Sequence, residues 1–296
     1  MIRDFNYHKV QTVEEALNLL DRYKDDYKII CGGQSLLILM RQGLVAPENL
    51  IDIKGLEELN YIEFDPKAGL KIGATTTHTA VEKSALVEEH YPILVSMEEN
   101  LASVQTRNWG TIGGNLCHGD PTGDPGAVFI ALNGSVKLAT KERDRTLPVE
   151  EFFVDFFETE LEEGEMLLEI QLPVIPPRTA VTYTKFNIIE NDQGLVSVAA
   201  SLTVDVNGHT CQEARIVIGS AAPVPMRAKE AEKLLIGQNV DDKLLQAVGE
   251  KAAEEADPVA DIHASEEYRR DLVKTLTRRM VKKAWEQARA QAPKKE

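Results

Sequence analysis

The sequence predicts an α+β protein in two parts, and three observations carry this. Up to about residue 172, short β-rich runs alternate with capped amphipathic helices, an α/β pattern with unusually brief strands. Pro173-Val174-Ile175-Pro176-Pro177 then interrupts the chain stiffly. Beyond it, three longer β-rich runs come first and helices follow, the order of a small antiparallel sheet with helices packed on it. The expected division is 1–177, itself in two portions of about 1–56 and 57–177, followed by 178–296.

Taken in order, Thr12-Val13-Glu14-Glu15 has capping-box spacing, with Ala16, Leu17 and Leu20 at helical period, so a first helix is expected to about Lys24. Tyr27 to Cys31 is a β-rich run ending at Gly32-Gly33, and Ser35 to Gly43 reads as a short apolar helix closed by glycine. Leu50–Ile53 and Leu70–Gly73 alternate as strands. Thr79 to Glu82 has the spacing of a second capping box. Tyr91 to Gln105 reads as one helix after Pro92. Gly110 to Gly126 holds six glycines and two prolines without periodicity and is expected to be a loop that something holds in place. Gly134–Ala139 and Met166–Leu172 read as strands, as do Ala180–Phe186, Val196–Val204 and Ala214–Gly219 in the second part. Helices are expected over Met226–Leu235 and Asp241–Ala256. A last one starts near Ser265, with Tyr268, Leu272, Leu276 and Met280 on its buried stripe.

Composition narrows the function classes. The 296 residues carry 33 basic and 48 acidic side chains, a net charge of −15, which argues against a nucleic-acid partner. Ten basic residues against three acidic ones fall between Arg269 and Glu296, either an anionic docking surface or a solvated helix face. No apolar run reaches bilayer length, and Met1 to Phe5 shows no signal-peptide pattern, so a cytoplasmic location is expected. Cys31, Cys117 and Cys211 lie far apart in sequence, and no metal or iron–sulfur site is expected on this chain. His78, beside a threonine triplet, reads as locally hydrogen-bonded.

Two glycine pairs are the informative chemistry. Cys31-Gly32-Gly33-Gln34-Ser35-Leu36 follows a strand and opens a helix, where a backbone without β-carbons brings N–H groups close to an anion and Ser35 offers a hydroxyl. It is neither the Rossmann nor the P-loop pattern, and alone it is compatible with a plain strand-to-helix turn. Thr111-Ile112-Gly113-Gly114-Asn115 supplies the second pair, with Asp120 and Asp124 behind it as acceptors for ribose hydroxyls or an amine. Two such loops can close on one diphosphate from two sides, provided they meet in space.

These residues, together with Ser265, Tyr268 and Arg269 leading into Leu276, Arg278 and Arg279, resemble the FAD-binding medium subunit of molybdenum hydroxylases, from Phe5 to about Lys283. The resemblance implies an FAD domain of the vanillyl-alcohol-oxidase type, two α/β subdomains with FAD between them, and a C-terminal domain with an antiparallel sheet and helices that helps cover the flavin. It implies that Cys31, Gly32, Gly33, Gln34, Ser35 and Leu36 hold the pyrophosphate, met by Thr111, Ile112, Gly113, Gly114 and Asn115. Asp124 falls to the adenosine half, with Asp120 kept as a further cofactor-binding acceptor, and Leu101, Leu167 and Lys185 fall to the flavin, with Lys185 near its pyrimidine edge. Many relatives carry arginines after the Lys185-Phe186 pair, and the carbon monoxide dehydrogenase group a tyrosine, where this chain has Asn187 to Gly194.

The implied activity is electron transfer. A molybdopterin-binding large subunit oxidises substrate, a small [2Fe-2S] subunit relays electrons, and FAD here passes them to NAD, a quinone or another acceptor. No residue of this chain is expected to be catalytic. Two other readings stay open: a stand-alone flavoprotein oxidase or dehydrogenase on the same fold, for which His118 is the nearby candidate, and a non-enzymatic nucleotide-binding assembly subunit.

Overall fold

A computed structural model describes residues 3–24, 26–189 and 192–293. Of the segment from Asn187 to Gly194, Glu190 and Asn191 lie outside the described residues, as do Met1 and Ile2 of the N-terminus.

The chain divides into two units. The first comprises Met1–Gly119, Ser135–Val154 and Glu158–Leu172, and the second Asp120–Gly134, Asp155–Phe157 and Pro173–Glu296. The second unit thus takes in residues 120–134 from ahead of the proline-rich segment. The reason is helix α8 (Asp124–Ala131), every residue of which is buried. So apolar a helix must be covered, and it packs on the strands of the second unit.

In the first unit, β1 (Asn6–Lys9), β2 (Tyr27–Ile30) and β3 (Asn49–Asp52) form a parallel sheet in the order β1-β3-β2. Helix α1 (Val13–Tyr23) is capped by the Thr12 hydroxyl, which accepts from Glu15 N, and buries Ala16, Leu17 and Leu20 in a cluster with Ile51, Ile53 and Leu56. Helix α2 (Leu36–Gln42) ends on Gly43 at φ 75°, where glycine carries no steric cost.

The second sheet of this unit is antiparallel. It joins β4 (Ile62–Asp65), β5 (Gly69–Gly73), β6 (Ser135–Ala139), β7 (Asp144–Pro148) and β10 (Met166–Leu172) in the order β4-β5-β10-β6-β7. Between β7 and β10 lie α9 (Val149–Phe152) and a minimal pair of strands, β8 (Phe153–Asp155) and β9 (Glu158–Thr159).

Helices α3 (His78–Glu82), α4 (Ala85–His90), α5 (Pro92–Glu99), α6 (Val104–Trp109) and α7 (Ile112–His118) connect β5 to α8. Three expectations are corrected here. The cap of α3 is Thr77, not Thr79, and the Thr79 hydroxyl donates instead to Asn108 Oδ1 at 2.7 Å. The helix expected over Tyr91–Gln105 breaks after Glu99 and restarts at Val104, capped by Ser103. The expected loop 110–126 contains α7, capped by Thr111, and the start of α8.

In the second unit, β11 (Thr179–Phe186), β12 (Val196–Val204), β13 (Cys211–Gly219) and β14 (Met226–Arg227) form an antiparallel sheet in sequence order. Strand β12 is covered on both faces. Val196, Val198, Ala200, Leu202 and Val204 join the core with α10 (Lys229–Leu235), α11 (Asp242–Glu255) and α12 (Glu266–Ala290), and α8 covers the alternate residues near Ser197 and Gly219. Of the expected stripe of α12, Leu276 is buried and Leu272 and Met280 pack half-buried against the core, and Tyr268 alone departs. Tyr268 is 45% exposed, whereas Arg269, Val273, Leu276, Val281, Ala284, Trp285 and Ala288 are buried. No helix among the described residues is long and apolar enough to cross a membrane.

Candidate functional site

The two glycine segments meet within the first unit. A β-carbon on Gly32 would lie 2.5 Å from Trp109 O, 2.7 Å from Gly110 Cα and 3.1 Å from Thr111 N. Only a residue without a side chain permits that approach. The touching residue is therefore Gly110, just ahead of the expected pair, while Gly113 packs on Ala74, whose oxygen would be 2.6 Å from an added β-carbon. The second segment is held by its own backbone: Gly113 N donates to Ala74 O, Ile112 N to Thr76 O and Asn115 N to Thr111 O. The Thr111 hydroxyl accepts from Gly114 N at 3.3 Å and bonds the Cys31 thiol.

The first segment is different. Gly33 takes φ 69°, which turns successive amides toward one side of the loop. Among the described residues, the amides of Gly33, Gln34, Ser35 and Leu36 donate to no protein acceptor, whereas the Leu37 amide already bonds Gly33 O. Ser35 occupies the N-cap position of α2 yet makes no cap bond with its hydroxyl, where a serine ordinarily would. Gln34 folds its side-chain amide back onto Gly32 O at 3.1 Å. The result is a run of open donors whose leading glycine, Gly32, packs against Trp109, Gly110 and Thr111.

At that contact, His78 N donates to Gly110 O at 3.1 Å. The His78 ring, 3% exposed, meets the buried Glu98 carboxylate through Nδ1 at 2.9 Å. Leu101 and Leu167 are also in this unit, both buried, the first with its carbonyl accepting from Arg107 at 2.9 Å and the second on β10 opposite Leu138 of β6.

The remaining expected residues belong to the second unit. Tyr183 and Lys185 stand two apart on β11, so their side chains leave one face, and the register puts them opposite Ala199 and Ser197, on the face that α8 covers. Asp124 is the first residue of α8. Its carboxylate receives the Lys185 ammonium at 2.7 Å, both side chains 6% exposed, and the Tyr183 hydroxyl on the other oxygen. Burial, with Asp124 beside it, pushes the Tyr183 pKa well above its ordinary value, so the phenol stays a neutral donor. Asp124 and Lys185 are thus one ion pair, not two separated charges. Asp120 is engaged locally, accepting from Thr122 N at 2.8 Å and Thr122 Oγ1 at 2.7 Å.

Comparison with known proteins decides the family. Residues 3–175 match the model of the FAD-binding domain in molybdopterin dehydrogenase, and residues 181–284 that of the carbon monoxide dehydrogenase flavoprotein C-terminal domain. The chain belongs to the FAD-binding medium subunits of molybdenum hydroxylases. It is 31% identical over 279 residues to the glyceraldehyde dehydrogenase medium chain of Sulfolobus acidocaldarius, covering 94% of this chain and 98% of the other. It is 31% identical over 281 residues to the carbon monoxide dehydrogenase medium chain of Hydrogenophaga pseudoflava, covering 95% and 97%. A solved structure of carbon monoxide dehydrogenase from the same organism, lacking the molybdenum-pyranopterin moiety, superposes with a TM-score of 0.93 at 31% identity, covering 97% of this chain and 99% of that one.

As a medium subunit the protein is an oxidoreductase component whose cofactor is FAD, and the donor set at Gly33–Leu36 fits that cofactor. A dinucleotide presents a diphosphate that accepts hydrogen bonds and carries negative charge. Four open amides offer donors only, and the Ser35 hydroxyl, engaged in no cap bond, can donate a fifth hydrogen bond. Sequence reasoning missed Tyr183, Glu98, Lys54 and Trp109. Tyr183 carried a signal, its i,i+2 spacing from Lys185, whereas the other three become neighbours of the site only through long-range packing.

Proposed function

We propose that the chain serves as the flavin-carrying subunit of a multi-subunit molybdenum hydroxylase, taking electrons from [2Fe-2S] clusters on a small partner and delivering them to NAD, a quinone or another acceptor, while a molybdopterin-binding large subunit oxidises the substrate. The observation that carries this reading is the interlock of Gly32 with Trp109–Thr111, which leaves the amides of Gly33 to Leu36 open on one side.

In this reading the first loop, with the Ser35 hydroxyl, takes the diphosphate, and Gly114 and Asn115, neither buried, approach it from the second. FAD supplies a carrier that accepts electrons and releases them to a second acceptor. The chain's own residues bind and orient it: the glycines set how near the backbone comes, Thr111 ties the second segment to Cys31, and the His78–Glu98 pair holds Gly110 from behind. No side chain acts as a nucleophile.

The test uses the full chain purified alone and freed of flavin. Added FAD is expected to remain bound through gel filtration at one equivalent, giving a yellow protein. A chain that stays colourless overturns the reading. Reduction of the bound flavin by simple alcohols without any partner would replace it with the stand-alone oxidase.

A further inference from the structure

In open α/β sheets, ligands collect beyond the carboxyl ends of parallel strands, where loops and amides from neighbouring strands converge. Strands β2 and β3 are such neighbours, with Ile30 beside Asp52 and Ile53 N bonded to Ile30 O at 3.0 Å. One strand continues into Cys31-Gly32-Gly33 and the other into Lys54. Lys54 therefore leaves the sheet beside the start of the first glycine segment.

Its ammonium is held there. Nζ lies 3.7 Å from the centroid of the Trp109 ring and 3.4 Å from Trp109 O, the same oxygen that closes over Gly32. The nearby carboxylate, Asp52, accepts from the Lys54 backbone amide at 2.9 Å through Oδ1 and from the Tyr7 hydroxyl through Oδ2. Among the described residues the Lys54 ammonium makes no ion pair, unlike the buried Lys185. A cation fixed by an aromatic ring and a carbonyl, but neutralised by neither, is ready for an incoming anion. Burial lowers its pKa from the ordinary lysine value, so the charged form gains from a negative partner.

We propose that Lys54, positioned by Trp109, is a cofactor-binding residue that supplies the positive counter-charge to the diphosphate of the bound dinucleotide. It is not among the positions implied by the family resemblance. The inference rests on the cofactor reading above and deepens it: the amides orient the diphosphate, and Lys54 offsets its charge.

The experiment titrates FAD into the flavin-free full chain at low and moderate salt, following flavin fluorescence, for the wild type, Lys54→Met, Lys54→Arg and the surface control Lys67→Gln. Lys54→Met keeps an apolar stem against Trp109 and is expected to bind FAD roughly ten-fold more weakly. Its affinity should also fall less steeply with salt, one ionic contact being gone. Lys54→Arg should retain most of the affinity, and Lys67→Gln should match the wild type. Melting curves establish that each variant is folded. Wild-type affinity and salt dependence in Lys54→Met overturn the inference and leave the cofactor reading intact. Equal losses in Lys54→Met and Lys54→Arg with an unchanged salt dependence also overturn it, making Lys54 a structural prop. A wild type that binds no FAD removes the cofactor reading itself.

Discussion

Trp109 O stands 2.5 Å from the point where a β-carbon on Gly32 would be built. Backbone meets backbone there, and no flexible side chain can yield, so the two loops must part to admit even a methyl group. Gly32→Ala is expected to cost about 1–3 kcal/mol of stability and to lower FAD affinity, because the open amides lose their brace. Gly43→Ala is the control. Its φ of 75° gives a strain cost of about 1–2 kcal/mol, yet it has no neighbour within 4 Å. Melting curves should shift for both variants, and FAD titration should weaken for Gly32→Ala alone.

What the sequence made legible was local chemistry. Thr12, Ser265 and Asp241 each cap the helix that follows, and a cap needs only the next three residues to be recognised. The threonine run at 75–77 defeated the same logic. Thr77 is the cap because its extended backbone bridges Thr111, a partner far along the chain. Gly113 and Gly114 were misjudged for a related reason. Glycine usually marks a loop, but Gly113 sits in helix α7 to let it approach Ala74 closely. The turn at Gly32-Gly33 was legible because strand, glycine pair and helix are contiguous, whereas the Asp124–Lys185 pair depends on which sheet face α8 covers. Hydrophobic period located α12 and its Leu272, Leu276 and Met280 face, but failed at the first turn, since the buried Arg269 is charged and the exposed Tyr268 is not.

Within the second unit, the Asp124–Lys185 ion pair is nearly free of solvent. Removing one member of such a pair leaves a buried charge, so Lys185→Met is expected to destabilise the chain by about 3 kcal/mol. Asp124→Asn in the same background should restore part of that loss, because the uncompensated charge is then gone. Urea denaturation of the two single variants and the double variant gives the coupling energy directly. Additive losses would mean that the pair does not act as a unit.

Asp261 gives the second unit a pH dependence. Burial alone would raise its pKa, but the amides of His263 and Ala264, each at 2.9 Å, and the Arg269 guanidinium at 2.6 Å outweigh it and hold the carboxyl below its ordinary value. A carboxylate whose pKa is lower folded than unfolded adds stability above the unfolded value of about 3.9, and that stability is lost as pH falls through the folded value. Asp261→Asn should therefore be less stable than the wild type at neutral pH, and the gap should close as acid is added. Denaturation at neutral pH and near pH 3 checks this. A constant gap would show that Asp261 acts through its shape rather than its charge.

The three cysteines should be silent in the folded protein. Burial raises the Cys31 pKa, and the Thr111 hydroxyl and Lys54 only partly oppose it. Burial pushes Cys117 and Cys211 up to about 12. The thiolate is the reactive form, and at pH 8 all three groups are held as thiols, Cys211 buried and Cys31 and Cys117 half-buried. An aromatic disulfide reagent is therefore expected to titrate slowly with native protein and to count three thiols rapidly in guanidinium chloride. Gly32→Ala should expose Cys31 first, because the same parting of loops that weakens FAD binding removes Thr111 from the sulfur. A rapid native thiol in the wild type would show that the Cys31–Thr111 contact opens freely, which a tight interlock of Gly32 with Trp109–Thr111 does not allow.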